Sequence, residues 1–115
     1  MTSEEQEYKD ALSAVERGDK PAKTQVAWYK LSGHGGAEKD EDGAVVLLEE
    51  RVKEEDAEAM WMLGACNEFG IGTEQDLERS KLLYRKSSDL NNLYGRFFVS
   101  HSSQRGSGKM KIQRL

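Results

Sequence analysis

The chain is poor in the residues that staple, bend or ligate a fold. It has one cysteine, Cys66, so no disulfide can close within it, and a lone thiol suits a reducing compartment. It has one proline, Pro21, and two histidines, His34 and His101. Neither histidine has a cysteine or acidic residue at zinc-ligand spacing, so neither is read as a metal ligand. No apolar run approaches the length of a membrane span, and the opening MTSEEQEYKD lacks the basic and apolar regions of a signal peptide. The cytosol is the expected compartment, with no cofactor, metal or membrane.

Hydrophobic content is also low, at 37%, against 33% charged residues, which leaves little material for a large core. The apolar residues are periodic rather than scattered, which argues against disorder throughout. Charge is unevenly placed. Residues 1–88 hold 12 Lys or Arg against 20 Asp or Glu, a balance of −8, whereas residues 89–115 hold five basic residues against Asp89 alone, a balance of +4. An acidic body repels phosphate backbones, so nucleic acid is not expected as a partner.

Catalytic constellations are equally scarce. Cys66 falls among apolar positions and reads as a small core residue, not a nucleophile. The carboxylates spread over solvated helix faces, and no pair stands out as tuned for acid–base work. Gly106-Ser107-Gly108-Lys109 suggests a phosphate loop, but Ser103 stands where the first glycine is required and Met110 where a Ser or Thr should hold magnesium. No enzymatic activity is expected.

What the chain does have is a repeat. Asp19, Ala22, Val26, Ala27, Gly33 and Gly35 recur 37 residues later as Asp56, Ala59, Leu63, Gly64, Gly70 and Gly72. After a one-residue slip, Glu38, Asp40, Asp42, Ala44 and Leu47 recur 36 residues later as Glu74, Asp76, Glu78, Ser80 and Leu83. A period of this length marks a solenoid, in which each helix pair hides its apolar face by stacking on the next. Paired glycines at 33/35 and 70/72 fall where the chain must turn between antiparallel helices, and glycine takes the left-handed conformation without a Cβ clash. Gly36 has Thr73 as its counterpart and so is not expected to need glycine. Gly64, inside a helix, implies close approach of the paired helix.

The pattern resembles the Sel-one-like repeat, a relative of the tetratricopeptide repeat. The residues that carry the resemblance are Ala59, Leu63, Gly64, Gly70, Gly72, Asp76, Arg79, Ser80, Leu83, Tyr84 and Lys86. Asn67 departs from the family's aromatic and Thr73 from its loop valine. The upstream copy is degenerate, with Val26-Ala27 for Leu-Gly and Leu48 for the Tyr. The resemblance implies an all-α, right-handed α-solenoid of antiparallel helix pairs. It also implies a non-enzymatic protein-interaction module or adaptor, of the kind that scaffolds signalling or ubiquitin-ligase complexes. The alternatives are a regulatory segment or isoform remnant of such a protein, or a repeat-type hydrolase. The last is disfavoured because that resemblance comes with many disulfide-paired cysteines.

The expected units are a capping helix over 1–18, a first repeat over 19–55 and a second over 56–91. A partial third repeat over 92–102 and a flexible basic tail over 103–115 follow. Helices are predicted over 3–17, about 21–32, 40–54, 57–69 and 76–88. Ser3 with Gln6 reads as a capping box for the first, whose apolar stripe is Tyr8, Ala11, Leu12 and Val15. Trp61 matches a family aromatic packed between helices and is expected in the core. The first helices of such solenoids line the concave face. There Gln25, Trp28 and Ser32 form one stripe, and Glu58, Met62, Ala65 and Phe69 form its counterpart. These seven residues are the candidate contacts for a protein or peptide partner, with Trp28, Met62 and Phe69 as apolar anchors.

Overall fold

The first helix, α1, spans Ser3–Glu16 in the computed structural model, which describes residues 2–90. Its cap is Thr2, not Ser3: the Thr2 hydroxyl accepts from the Glu5 amide at 3.1 Å, and Glu5 Oε1 accepts from the Thr2 amide at 2.7 Å. The capping box is thus one residue earlier than the sequence suggested. Glu5 serves it better than Gln6, since a carboxylate also suits the positive end of the helix dipole. Ala11 and Ala14 are the buried residues of α1, while Leu12 keeps 37% of its surface exposed. The helix meets only α2 and the following turn, so a narrow stripe of small residues suffices and Leu12 falls outside it.

Four more α-helices follow: α2 (Ala22–Ser32), α3 (Glu41–Lys53), α4 (Ala57–Phe69) and α5 (Leu77–Asp89). Asp40, Asp56 and Asp76 each precede a helix and accept from exposed backbone amides, from Gly43, from Glu58 and Ala59, and from Arg79. A short aspartate oxygen at this position satisfies donors that have no partner inside the helix. Pro21 precedes α2 and gives no side-chain cap.

The helices stack as pairs. Helix α2 packs against α3 and α4 against α5, while α1 leans on α2 and α3 on α4. Ala27, Ala44, Leu48, Ala59, Leu63 and Cys66 form a continuous core that crosses from the first pair to the second. Where the first pair has Ala27 and Leu48, the second has Gly64 and Tyr84, all fully buried or nearly so. A Cβ on Gly64 would lie 2.7 Å from the Tyr84 ring, so this glycine is required by close approach of the two helices. No strand occurs among the described residues. The architecture is an all-α repeat solenoid.

Gly33, Gly35, Gly70 and Gly72 all lie at positive φ, between +63° and +76°. Gly36 joins them at +78°, against the expectation that it need not be glycine. The loop before Asp40 is one residue longer than the loop before Asp76, and it takes up that residue in a 3-10 turn at His34–Gly36 with two successive left-handed glycines.

Polar ties join the two units. Thr24 Oγ1 of α2 donates to Asp56 Oδ2 at 2.6 Å, and Arg51 Nε of α3 lies 3.3 Å from the same oxygen. Arg79 of α5 reaches back to α3 and grips Glu49 with two bonds of 2.7 Å. Within the second unit, Ser87 Oγ donates to Ala57 O at 2.9 Å, fixing the end of α5 to the start of α4. The partial third repeat, the basic tail, His101 and the Gly106–Lys109 stretch lie outside the described residues.

Candidate interaction groove

Helices α1, α2 and α4 turn one face each onto an open groove of about 1270 Å³. Its apolar floor includes Ala11 and Ala14 of α1, Ala22 of α2 and Met62 of α4. Both tryptophans of the chain, Trp28 and Trp61, lie along it. Trp28 is 36% exposed. Its ring is held edge-on by Tyr29, with centroids 5.0 Å apart, and by His34 at 5.2 Å. Such contacts fix an exposed aromatic in place, so little side-chain entropy remains to be lost when a ligand covers it.

The rim is acidic. Glu7, Asp10, Asp19, Asp56 and Glu58 line the groove against the single guanidinium of Arg17. Tyr29 forms part of the wall, and its hydroxyl donates to Glu7 Oε1 at 3.1 Å. Burial, and then this bond to Glu7, hold its phenol above the ordinary value of 10.0. Tyr29 therefore acts as a fixed donor. Away from the groove, burial pushes the Cys66 thiol up to about 11, with the nearby Glu41 charge adding to it.

The seven sequence-predicted contacts divide. Gln25, Trp28, Glu58 and Met62 are brought together on the groove. Ser32, Ala65 and Phe69 do not line it. Ser32 serves the end of α2, where its hydroxyl accepts from the His34 amide at 3.2 Å. Phe69 is the last residue of α4 and is 57% exposed. Met62 is only 7% exposed and belongs to the core cluster, so it supports the floor more than it offers surface. Trp61, expected in the core, packs against that cluster yet stays partly exposed and lines the groove as well. The whole α1 wall was missed by sequence reasoning. The signal for it was the spacing of Glu7, Asp10, Ala11, Ala14 and Arg17 on one helical face.

Stacked helix pairs with an open groove across them define a helical-repeat protein. The sequence profile of the Sel1 repeat matches residues 21–50 and 57–92, which is 66 of the 115 residues. The chain belongs to the Sel1 repeat family, whose repeats generally mediate protein–protein interaction and are generally non-catalytic. Among solved structures it is similar to a Sel1 repeat protein from Oxalobacter formigenes, with a TM-score of 0.75 and 23% identity. That likeness covers 94% of this chain and 42% of the other, so this chain spans less than half of that protein. At this identity the likeness bears on the fold alone. No curated protein sequence matches the chain. No helix among the described residues is long and apolar enough to cross a membrane.

Proposed function

We propose that the chain is a non-enzymatic adaptor that receives a segment of another protein in the groove between α1, α2 and α4. The carrying observation is that both tryptophans of the chain line one open groove, with Trp28 held rigid and part-exposed by Tyr29 and His34. Rigid aromatics in a concave surface supply much contact area at small entropic cost, the usual make-up of a binding hot spot. In this reading Gln25, Trp28, Glu58 and Met62 belong to the contact surface, with Trp61 and the α1 wall beside them. Residues 1–18 serve as a cap, and 19–55 and 56–91 as the two units that carry the groove.

The test is affinity capture by the intact chain, followed by affinity and melting measurements on three variants. Trp28→Ala is expected to weaken the captured partner about five- to thirty-fold, or roughly 1–2 kcal/mol. Phe69→Ala, outside the groove, is expected to leave affinity unchanged. Leu63→Ala, fully buried, is expected to cost about 2–5 kcal/mol of stability. A Trp28→Ala protein that binds as the parent does, or that unfolds as Leu63→Ala does, would remove the groove as the contact surface.

A further inference from the structure

The charge around the groove says what kind of segment fits it. Of the five carboxylates on the rim, only Asp56 is committed to a cation, with Arg51 Nε at 3.3 Å. Glu7, Asp10, Asp19 and Glu58 form no ion pair with any described residue, and neither does Arg17. Four uncompensated carboxylates thus face one guanidinium across a floor of indole rings and small apolar side chains. A concave site with low-dielectric walls and charge of one sign concentrates the opposite sign. An anionic segment would meet repulsion there, and a wholly apolar one would strip water from carboxylates without replacing it.

Lysine and arginine suit both layers of such a site. Their aliphatic stems lie along apolar surface while their heads reach toward charge, and an indole face attracts a cation as well. We infer that the groove's occupant is a cationic segment of a partner protein, with Lys or Arg side chains interleaved with apolar ones. The cations meet Glu7, Asp10 and Glu58, and the apolar side chains rest on Trp28 and Trp61, over the floor that Met62 supports. This specifies the chemistry of the ligand and rests on the groove being the contact surface, as proposed above. Steering by the same field makes association faster at low salt.

The experiment is a selection of random displayed twelve-residue peptides on the intact chain. Titration of one synthetic consensus peptide then follows, read by intrinsic tryptophan fluorescence, which reports on the groove because both tryptophans line it. The expected result is a consensus rich in Lys and Arg, whose affinity falls at least about tenfold between low and roughly 0.5 M salt. Asp10→Asn and Glu58→Gln should each weaken it about two- to fivefold. Glu54→Gln and Glu78→Gln, exposed and away from the groove, should leave it unchanged, which separates a local site from the general negative charge of the chain. A neutral or acidic consensus that still depends on Trp28 would overturn the inference and leave the groove reading standing. A consensus that ignores Trp28→Ala would overturn both. Affinity that rises when Lys109, Lys111 and Arg114 are changed to Gln would assign the groove to this chain's own basic residues, and so overturn its assignment to a partner.

Discussion

Replacing Gly64 by alanine sets two known effects against each other at one atom. Alanine is the better helix former by roughly 1 kcal/mol, so an isolated α4 would gain from Gly64→Ala. In the folded chain, however, the new Cβ would lie 2.7 and 2.8 Å from two carbons of the Tyr84 ring and 3.4 Å from Ser80 O. Tyr84 cannot move aside easily. It is fully buried, and its hydroxyl donates to Glu68 Oε1 at 2.7 Å. Overpacking of this kind costs about 1–3 kcal/mol. Displacing the ring from a buried carboxylate adds about 1.5–3 kcal/mol if the bond breaks. With the bond broken and the propensity gain subtracted, the net loss is about 1.5–5 kcal/mol. For a chain of this size each kcal/mol moves Tm by about 4–8 °C, so circular-dichroism melting should show a fall of roughly 6–40 °C. The first unit supplies the control, because it holds Ala27 and Leu48 at the equivalent positions. In a Tyr84→Leu background the added methyl has room, so Gly64→Ala should cost at least about 1 kcal/mol less there than in the parent. A rise in Tm for Gly64→Ala alone, or an equal cost in both backgrounds, would refute the close-approach argument.

Gly70 and Gly72 have nearly the same positive φ, but a Cβ on Gly72 would come within 2.5 Å of Glu41 O while one on Gly70 meets nothing nearer than 3.7 Å. Gly72→Ala should therefore lower Tm clearly more than Gly70→Ala, and equal losses would show that φ alone sets the cost. Cys66 is buried and its thiol is pushed up to about 11, so a thiol-specific disulfide reagent at pH 8 should leave the native chain unlabelled and react only after denaturant is added. Glu49, paired with Arg79, is held below its ordinary value of 4.5 by that hydrogen bond first and the Arg79 charge after it. Its contribution is therefore complete above pH 4.5 and lost as pH falls through the lowered value. The pair is more than a third exposed, so Glu49→Gln should cost no more than about 1 kcal/mol at pH 7, and the difference from the parent should shrink on acidification.

Much of the fold was legible because the signals were local. Asp40 and Asp76 announce helix starts by a rule that involves four consecutive residues, and the paired glycines mark the turns. The expected span 57–69 coincides with α4 as found. The misreadings have a common origin in geometry between segments. Leu12 has the spacing of a core residue, but α1 has few neighbours to bury it. Gly36 looks dispensable until the longer first loop is seen to need a second left-handed residue. At the groove, Gln25, Trp28, Glu58 and Met62 were accessible through repeat equivalence, since each sits on a first helix. The α1 wall was not, because the groove forms where α1, α2 and α4 converge, and no periodicity within one helix reports that. Phe69 has the right phase but lies seven residues, about two helical turns, beyond Met62 on α4 and so does not share the cavity.

The shared oxygen of Asp56 has a consequence for how the chain comes apart. Asp56 caps α4, yet its other carboxylate oxygen serves Thr24 and Arg51 of the preceding pair. Arg51 is only 7% exposed, and removing one partner of a buried charge pair costs about 3–5 kcal/mol. Fraying of the second helix pair would therefore strand a cation inside the first. In a linear array whose cooperativity depends on coupling between nearest neighbours, this carboxylate works as a latch that makes the two pairs open together. A single sharp unfolding transition, reported alike by tryptophan fluorescence and by helical ellipticity, is what such a latch produces.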